Sequence, residues 1–145
     1  MAEWVFSRDG SVGPDAIVGG NDVGGEPIFV GRVHHKGDCI PGKIVPSHRC
    51  IYVSYNGKEI SNNFYEYMRR PRYGEIQWSR CGRGDVRSGA VMAGQTKTGE
   101  PLFIGRAYYK GSLVIGKIHP SHKCIYIPFD SKEINFEHYE VLSIV

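Results

Sequence analysis

The sequence predicts an all-β fold made of two tandem homologous repeats of short antiparallel strands, sandwich- or barrel-like, related by a pseudo-twofold. Three observations predict it. Ile and Val contribute 14 and 13 residues while Leu and Ala contribute 3 and 5, an apolar inventory that is β-branched and excludes an all-α chain. Nineteen Gly and eight Pro are interleaved with nine Tyr, six Phe and two Trp, the mixture of many short strands joined by tight turns. Sliding the chain over itself by 74 residues aligns 1–71 with 75–145 without a gap, and 27 of the 71 pairs are identical.

The elements follow repeat by repeat. A strand is predicted around Trp4 and its match Trp78, another through Ala16-Ile17-Val18 or Ala90-Val91-Met92, and a third from Ile28 to Val33 or Leu102 to Ala107. Further strands are predicted at 50–55 or 124–129 and at 64–68 or 138–145, with turn signals between them and no sustained helical period. The first repeat spans 1–71 and the second 75–145, separated by the basic, Pro-containing segment Arg69-Arg70-Pro71-Arg72-Tyr73-Gly74. A unit of about seventy residues lies at the lower edge of independent stability, so the two repeats are expected to share a core or exchange strands.

Composition also bounds function. No apolar run approaches the roughly 20 residues that span a bilayer, and the start MAEWVFSRDG lacks a secretory pattern. The expectation is a soluble chain made in the cytoplasm, without membrane insertion. The net charge of +3 is spread without blocks, which argues against a phosphate-tracking surface and hence against nucleic acid. Cys39, Cys50, Cys81 and Cys124 are expected to be reduced packing residues.

Several constellations invite chemistry. Gly37-Asp38-Cys39-Ile40-Pro41-Gly42-Lys43, repeated at Gly111 to Lys117, has phosphate-loop spacing, but Ile44 and Ile118 follow where Ser or Thr is needed, and a strand pattern follows where a helix is needed. The preferred reading is a Gly turn that presents Lys43 and Lys117 at the end of a hairpin. His48 with Cys50, and His122 with Cys124, would share a strand face and could supply two zinc ligands each; the apolar continuation favours core cysteines, and no metal or cofactor is assigned. Glu26 and Arg32, matched by Glu100 and Arg106, are repeated opposite charges whose expected role is structural, an Arg fork tying down a carboxylate or turn carbonyls. Glu59, Glu66, Glu133 and Glu140 lie near strand ends with no partner suggesting acid–base work, so no enzyme is expected.

The Trp-containing start, the Gly-Gly-Asn-Asp segment, GEPIFVGR, P-G-K, PSH-x-C-I-Y-V and the closing Tyr-Glu strand, followed in the same order by a diverged second copy over 75–145, resemble the DM-nine repeat. Tandem pairs of that repeat occur in small mannose-binding bivalve lectins and beside the aerolysin-like module of natterin-like proteins. The resemblance implies calcium-independent recognition of mannose and high-mannose glycans, a role in innate immune pattern recognition, a homodimer, and release from the cell by a non-classical route. It leaves open a non-catalytic protein- or membrane-targeting module of natterin-like type.

Vicinal hexose hydroxyls both donate and accept, so one carboxylate and one ammonium in neighbouring loops suffice to grip them. Asp22, with Asn21 beside it, sits in the glycine-rich loop Gly19 to Gly25, and Lys43 recurs as Lys117. Loop chemistry alone leaves Asp22 divided between an Asx-turn role and ligand contact; the resemblance implies that Asp22 and Lys43 touch mannose. In the second repeat Gln95-Thr96 replaces Asn21-Asp22. A site at Gln95 and Lys117 should therefore be weaker, because charge-assisted bonds are roughly twice as strong as neutral ones.

Overall fold

The computed structural model describes residues 1–145. The first repeat carries β1 (Glu3–Arg8), β2 (Val18–Asn21), β3 (Pro27–His35), β4 (Asp38–Val45), β5 (Cys50–Tyr55), β6 (Lys58–Asn62) and β7 (Phe64–Arg69). The second carries β8 (Ile76–Gly82), β9 (Met92–Gln95), β10 (Pro101–Tyr109), β11 (Ser112–His119), β12 (Cys124–Phe129), β13 (Lys132–Phe136) and β14 (His138–Ile144). The only helical pieces are single 3-10 turns at Pro46–His48 and Pro120–His122.

All pairings are antiparallel, and the repeats exchange their short strands. β2 pairs with β3 of its own repeat and also with β11 of the other through Asn21 and Leu113. Symmetrically, β9 pairs with β10 and also with β4 through Gln95 and Cys39. With the β3–β4 and β10–β11 hairpins this closes a circuit in the order β3, β2, β11, β10, β9, β4. Gly20 and Gly94 make the exchange possible: a Cβ on either would run into the Leu113 or the Cys39 carbonyl oxygen.

The core divides as the topology requires. One cluster draws Ile17, Ile28, Val30, Val45 and Met68 from the first repeat together with Val91, Ala93, Ile104, Ile115 and Leu142 from the second. Two flanking clusters each belong to one repeat, around Ile40, Ile44 and Ile51 and around Ile118, Ile125 and Ile127. Neither repeat could bury its central apolar face alone.

Two arginines pin the exchange. Arg32 Nε donates to Glu66 at 2.8 Å, its Nη1 donates to the Ala93 carbonyl of the other repeat at 2.8 Å, and its guanidinium lies 4.2 Å from the Trp4 ring centroid. Arg106 repeats this with Glu140 at 2.7 Å, the Gly19 carbonyl at 3.0 Å and Trp78 at 4.0 Å. Arg32→Ala leaves a half-buried carboxylate and an inter-repeat carbonyl without partners. The expected loss is about 2–3 kcal/mol, seen as a thermal midpoint lower by roughly 5–10 °C; a midpoint unchanged in a melting experiment counts against the pin.

Several sequence expectations are corrected here. The second strand does not run through Ala16-Ile17-Val18 but begins at Val18, with Ala16 making only an isolated bridge to Arg69. Much of the supposed glycine loop is thus strand β2, and only Asp22 to Gly25 turn. Pro41-Gly42 is not a turn: both residues are buried inside β4, and the hairpin reverses at Lys36-Gly37, where φ is positive at both residues. Pro41 fits there because it lies between the β9 bridge at Cys39 and the start of β5 pairing at Lys43. Arg32 ties down a carboxylate and a carbonyl, as expected of it, with Glu66 as the carboxylate, while Glu26 accepts the Ser47 N–H at 2.8 Å and so anchors the 3-10 turn. Glu59, Glu66, Glu133 and Glu140, for which the sequence shows no partner suggesting acid–base work, each face a basic side chain.

Candidate functional site

Lys43 stands in the middle of β4, opposite Tyr52 of β5, and is only 5% exposed. Alternation along the strands puts Lys43, Tyr52, Ser54 and Glu59 on one face. The ammonium is 4.0 Å from Glu59 Oε2 and lies 5.5 Å from the Tyr52 ring centroid and 5.3 Å from that of Phe129, which belongs to the second repeat. Burial lowers the Lys43 pKa, and the Glu59 and Asp22 carboxylates oppose that push. At 4.0 Å the Glu59 contact is beyond hydrogen-bond length, so its charge stabilises the ammonium without saturating its N–H groups.

Asp22 opens the turn between β2 and β3. Its N–H donates to the Glu26 carbonyl at 2.8 Å, and its Oδ1 accepts the Val23 N–H at 3.0 Å. Oδ2 is left facing His48 Nε2 at 4.0 Å. His48 Nδ1 and the Tyr52 hydroxyl share a hydrogen bond of 2.8 Å, and burial raises the Tyr52 pKa, so the phenol keeps its proton. Asp22, His48, Tyr52 and Lys43 therefore form one chain of polar groups, with a free carboxylate oxygen at one end and an ammonium at the other. Asn21 does not join it: its Nδ2 donates to the Asp22 carbonyl at 3.1 Å, while its own carbonyl accepts the Ser112 hydroxyl at 2.7 Å.

The matching region of the second repeat is built differently. Lys117, 6% exposed, donates to the Ser54 carbonyl at 2.7 Å and lies 3.4 Å from Glu133 Oε2. One of its three N–H donors is thus taken by the protein, where Lys43 makes no hydrogen bond within the protein. His122 Nδ1 meets the Tyr126 hydroxyl at 2.9 Å, as in the first repeat, and burial pushes the Tyr126 pKa up to about 12. His119, however, replaces Val45, stacks on His122 at 3.5 Å between centroids, and pairs through Nε2 with Glu100 at 2.9 Å. Burial lowers the His119 pKa, with the His122 charge acting the same way and Glu100 opposing.

Thr96, in the place of Asp22, bonds Thr98 and the Glu100 N–H at 3.1 Å each. Gln95 is exposed on β9 opposite Cys39; the register gives it no link to Lys117, which faces Ile104 and Tyr126. The Ser-His-x-Cys segments do not present two ligands on one face, because the His sits in a 3-10 turn and the intervening Arg49 and Lys123 are left-handed. Burial raises the thiol pKa of both Cys50 and Cys124.

His48 and Glu59, weighed from sequence only for zinc and for acid–base work, and Tyr52, not weighed there, stand beside Asp22 and Lys43 in the structure. Each is identical in the second repeat, as His122, Tyr126 and Glu133, and that identity of polar residues at strand spacing is the signal that could have found them.

The DM9 repeat model matches residues 1–62 and 22–136. The chain belongs to the DM9 repeat family. It is similar to Natterin-4 of Thalassophryne nattereri, with 26% identity over 98% of this chain and 34% of that protein. Natterin-3 of the same fish is 23% identical over 66% of this chain and 24% of its own length. The chain thus spans about a third or less of these relatives. Among solved structures, the nematode sperm cell motility protein MFP2B superposes with a TM-score of 0.71 at 10% identity, over all of this chain and 47% of that one. This likeness shows the fold alone, an all-β barrel-like module.

Proposed function

We propose that this DM9 module is a carbohydrate-binding lectin that recognises terminal mannose and high-mannose glycans and catalyses nothing. The observation that carries the reading is the juxtaposition of a free Asp22 carboxylate oxygen and an incompletely bonded Lys43 ammonium around the His48–Tyr52 pair. A carboxylate accepts two hydroxyl hydrogens, an ammonium donates to the same oxygens, and an uncharged hexose offers both at adjacent carbons. Single-sugar sites are weak, so useful avidity needs several sites at glycan spacing. A homodimer supplies them, and innate immune recognition of microbial mannans, with non-classical release of a cytoplasmically made chain, is the setting this reading fits.

The test is binding to a mannan surface and its displacement by free mannose. The second repeat has Thr96 in place of the carboxylate, has its lysine hydrogen-bonded to the Ser54 carbonyl and has its histidine stacked, so titration calorimetry is expected to give one strong mannose site per chain. Two equal and independent sites would overturn the asymmetry. The similarity to Natterin-4 over 98% of the chain favours a second reading, a protein- or membrane-targeting module attached to larger assemblies. Retention on yeast or mannan surfaces that free mannose fails to displace selects it.

A further inference from the structure

We propose that Glu59 and Phe129, one from each repeat, hold the Lys43 ammonium in its binding position, so that the site in the first repeat is a joint product of both repeats. This rests on the lectin reading for the ligand, though not for the geometry. Glu59 is fixed from across the pseudo-twofold: its Oε1 accepts the Ser131 N–H at 3.0 Å while Oε2 faces Lys43 Nζ at 4.0 Å. The Phe129 ring, two residues before Ser131, covers the same ammonium at 5.3 Å.

The converse holds at the other lysine. Glu133 Oε1 accepts the Gly57 N–H at 2.8 Å and Oε2 faces Lys117 Nζ at 3.4 Å, while Lys117 donates to Ser54 of the first repeat. The two hairpin tips are joined by backbone as well, Glu59 N–H to the Ser131 carbonyl and Glu133 N–H to the Gly57 carbonyl, both at 3.2 Å. Each lysine is therefore positioned through the opposite tip, and the tips clasp as one unit. Glu59 and Phe129 are positioning residues: neither needs to touch sugar.

The groups facing Lys43 are Glu59 on β6, Tyr52 and Cys50 on β5, Asp22 in the β2–β3 turn and Phe129 on β12, with His48 linked through Asp22 and Tyr52. A buried ammonium that loses an adjacent carboxylate is harder to keep charged. Glu59→Gln retains an oxygen for the Ser131 N–H and removes only the charge; Phe129→Leu retains apolar bulk and removes the ring.

The experiment follows the Lys43 side-chain carbon resonances of the full chain through a pH titration, for the parent, Glu59→Gln and Phe129→Leu, beside mannan binding at the same pH values. In both variants Lys43 is expected to titrate at lower pH than in the parent, and alkaline loss of mannan binding should begin correspondingly earlier. With the ammonium intact near neutrality, Phe129→Leu is expected to bind roughly three- to tenfold more weakly. A Lys43 titration unmoved in both variants overturns the proposal. If Glu59→Gln does not fold, Phe129→Leu alone decides it by the same titration. A Lys43 titration that moves in a protein with no mannose binding retires the lectin reading and leaves the shared positioning standing.

Discussion

Asp22→Asn and Lys43→Met are each expected to remove binding to mannan while the protein stays folded. A hydrogen bond to a charged group contributes about 1.5–3 kcal/mol, so losing either partner weakens one sugar site by roughly 10- to 150-fold, and a multivalent surface magnifies the loss. The choice of variant matters because the structure revises a simpler expectation. A lysine in a solvated loop could be cut back to Ala at little cost, but Lys43→Ala would empty a buried position between Tyr52 and Phe129 and cost about 2 kcal/mol or more. Lys43→Met fills that space, and replacing a buried charge by an apolar side chain of similar volume is often close to neutral. Asp22→Asn keeps an oxygen for the Val23 N–H. Full mannan binding by either variant, at a melting temperature near the parent's, removes both residues from the site.

Gly20→Ala and Gly94→Ala are expected to produce the largest stability losses from the smallest chemical change. Each adds one methyl group against a carbonyl of the other repeat, Leu113 or Cys39, at the places where β2 meets β11 and β9 meets β4. Backbone carbonyls cannot rotate away as a side chain can, so the strands must separate and the central cluster loses its continuity. We expect a cost above about 3 kcal/mol for each variant, or a midpoint lower by roughly 10 °C, and no folded double variant. Gly24→Ala is the matched control: nothing lies within 4 Å of its Cβ and its φ is not in the positive range, so the change should be within about 0.5 kcal/mol of neutral. Equal melting temperatures for Gly20→Ala and Gly24→Ala would remove the close approach as an organising feature.

Part of the site was legible in the sequence. Lys43 and Lys117 stand out because they recur at one aligned position, Asp22 because of its glycine-rich segment and the family resemblance, and Thr96 in its place sets the second repeat apart. The local setting was misjudged: Pro41-Gly42 has the composition of a turn yet lies within a strand, because Tyr52 presents its carbonyl where only glycine leaves room. The partners of Glu59 and Glu66, Lys43 and Arg32, are not legible in the sequence because they are distant along the chain and become neighbours only through strand register.

The sequence by itself determined the β class, the duplication and the inequality of the two repeats, since β-branched content, a constant offset of 74 and the exchange of Asp22 for Thr96 are all properties of order along the chain. Only the tertiary structure decided that β2 and β9 cross between repeats, that Phe129 covers Lys43, and that His119 stacks on His122 where the first repeat has Val45. Pairing between distant strands depends on which faces are buried together and where two backbones can approach, and both are set by the whole packed assembly rather than by any local stretch.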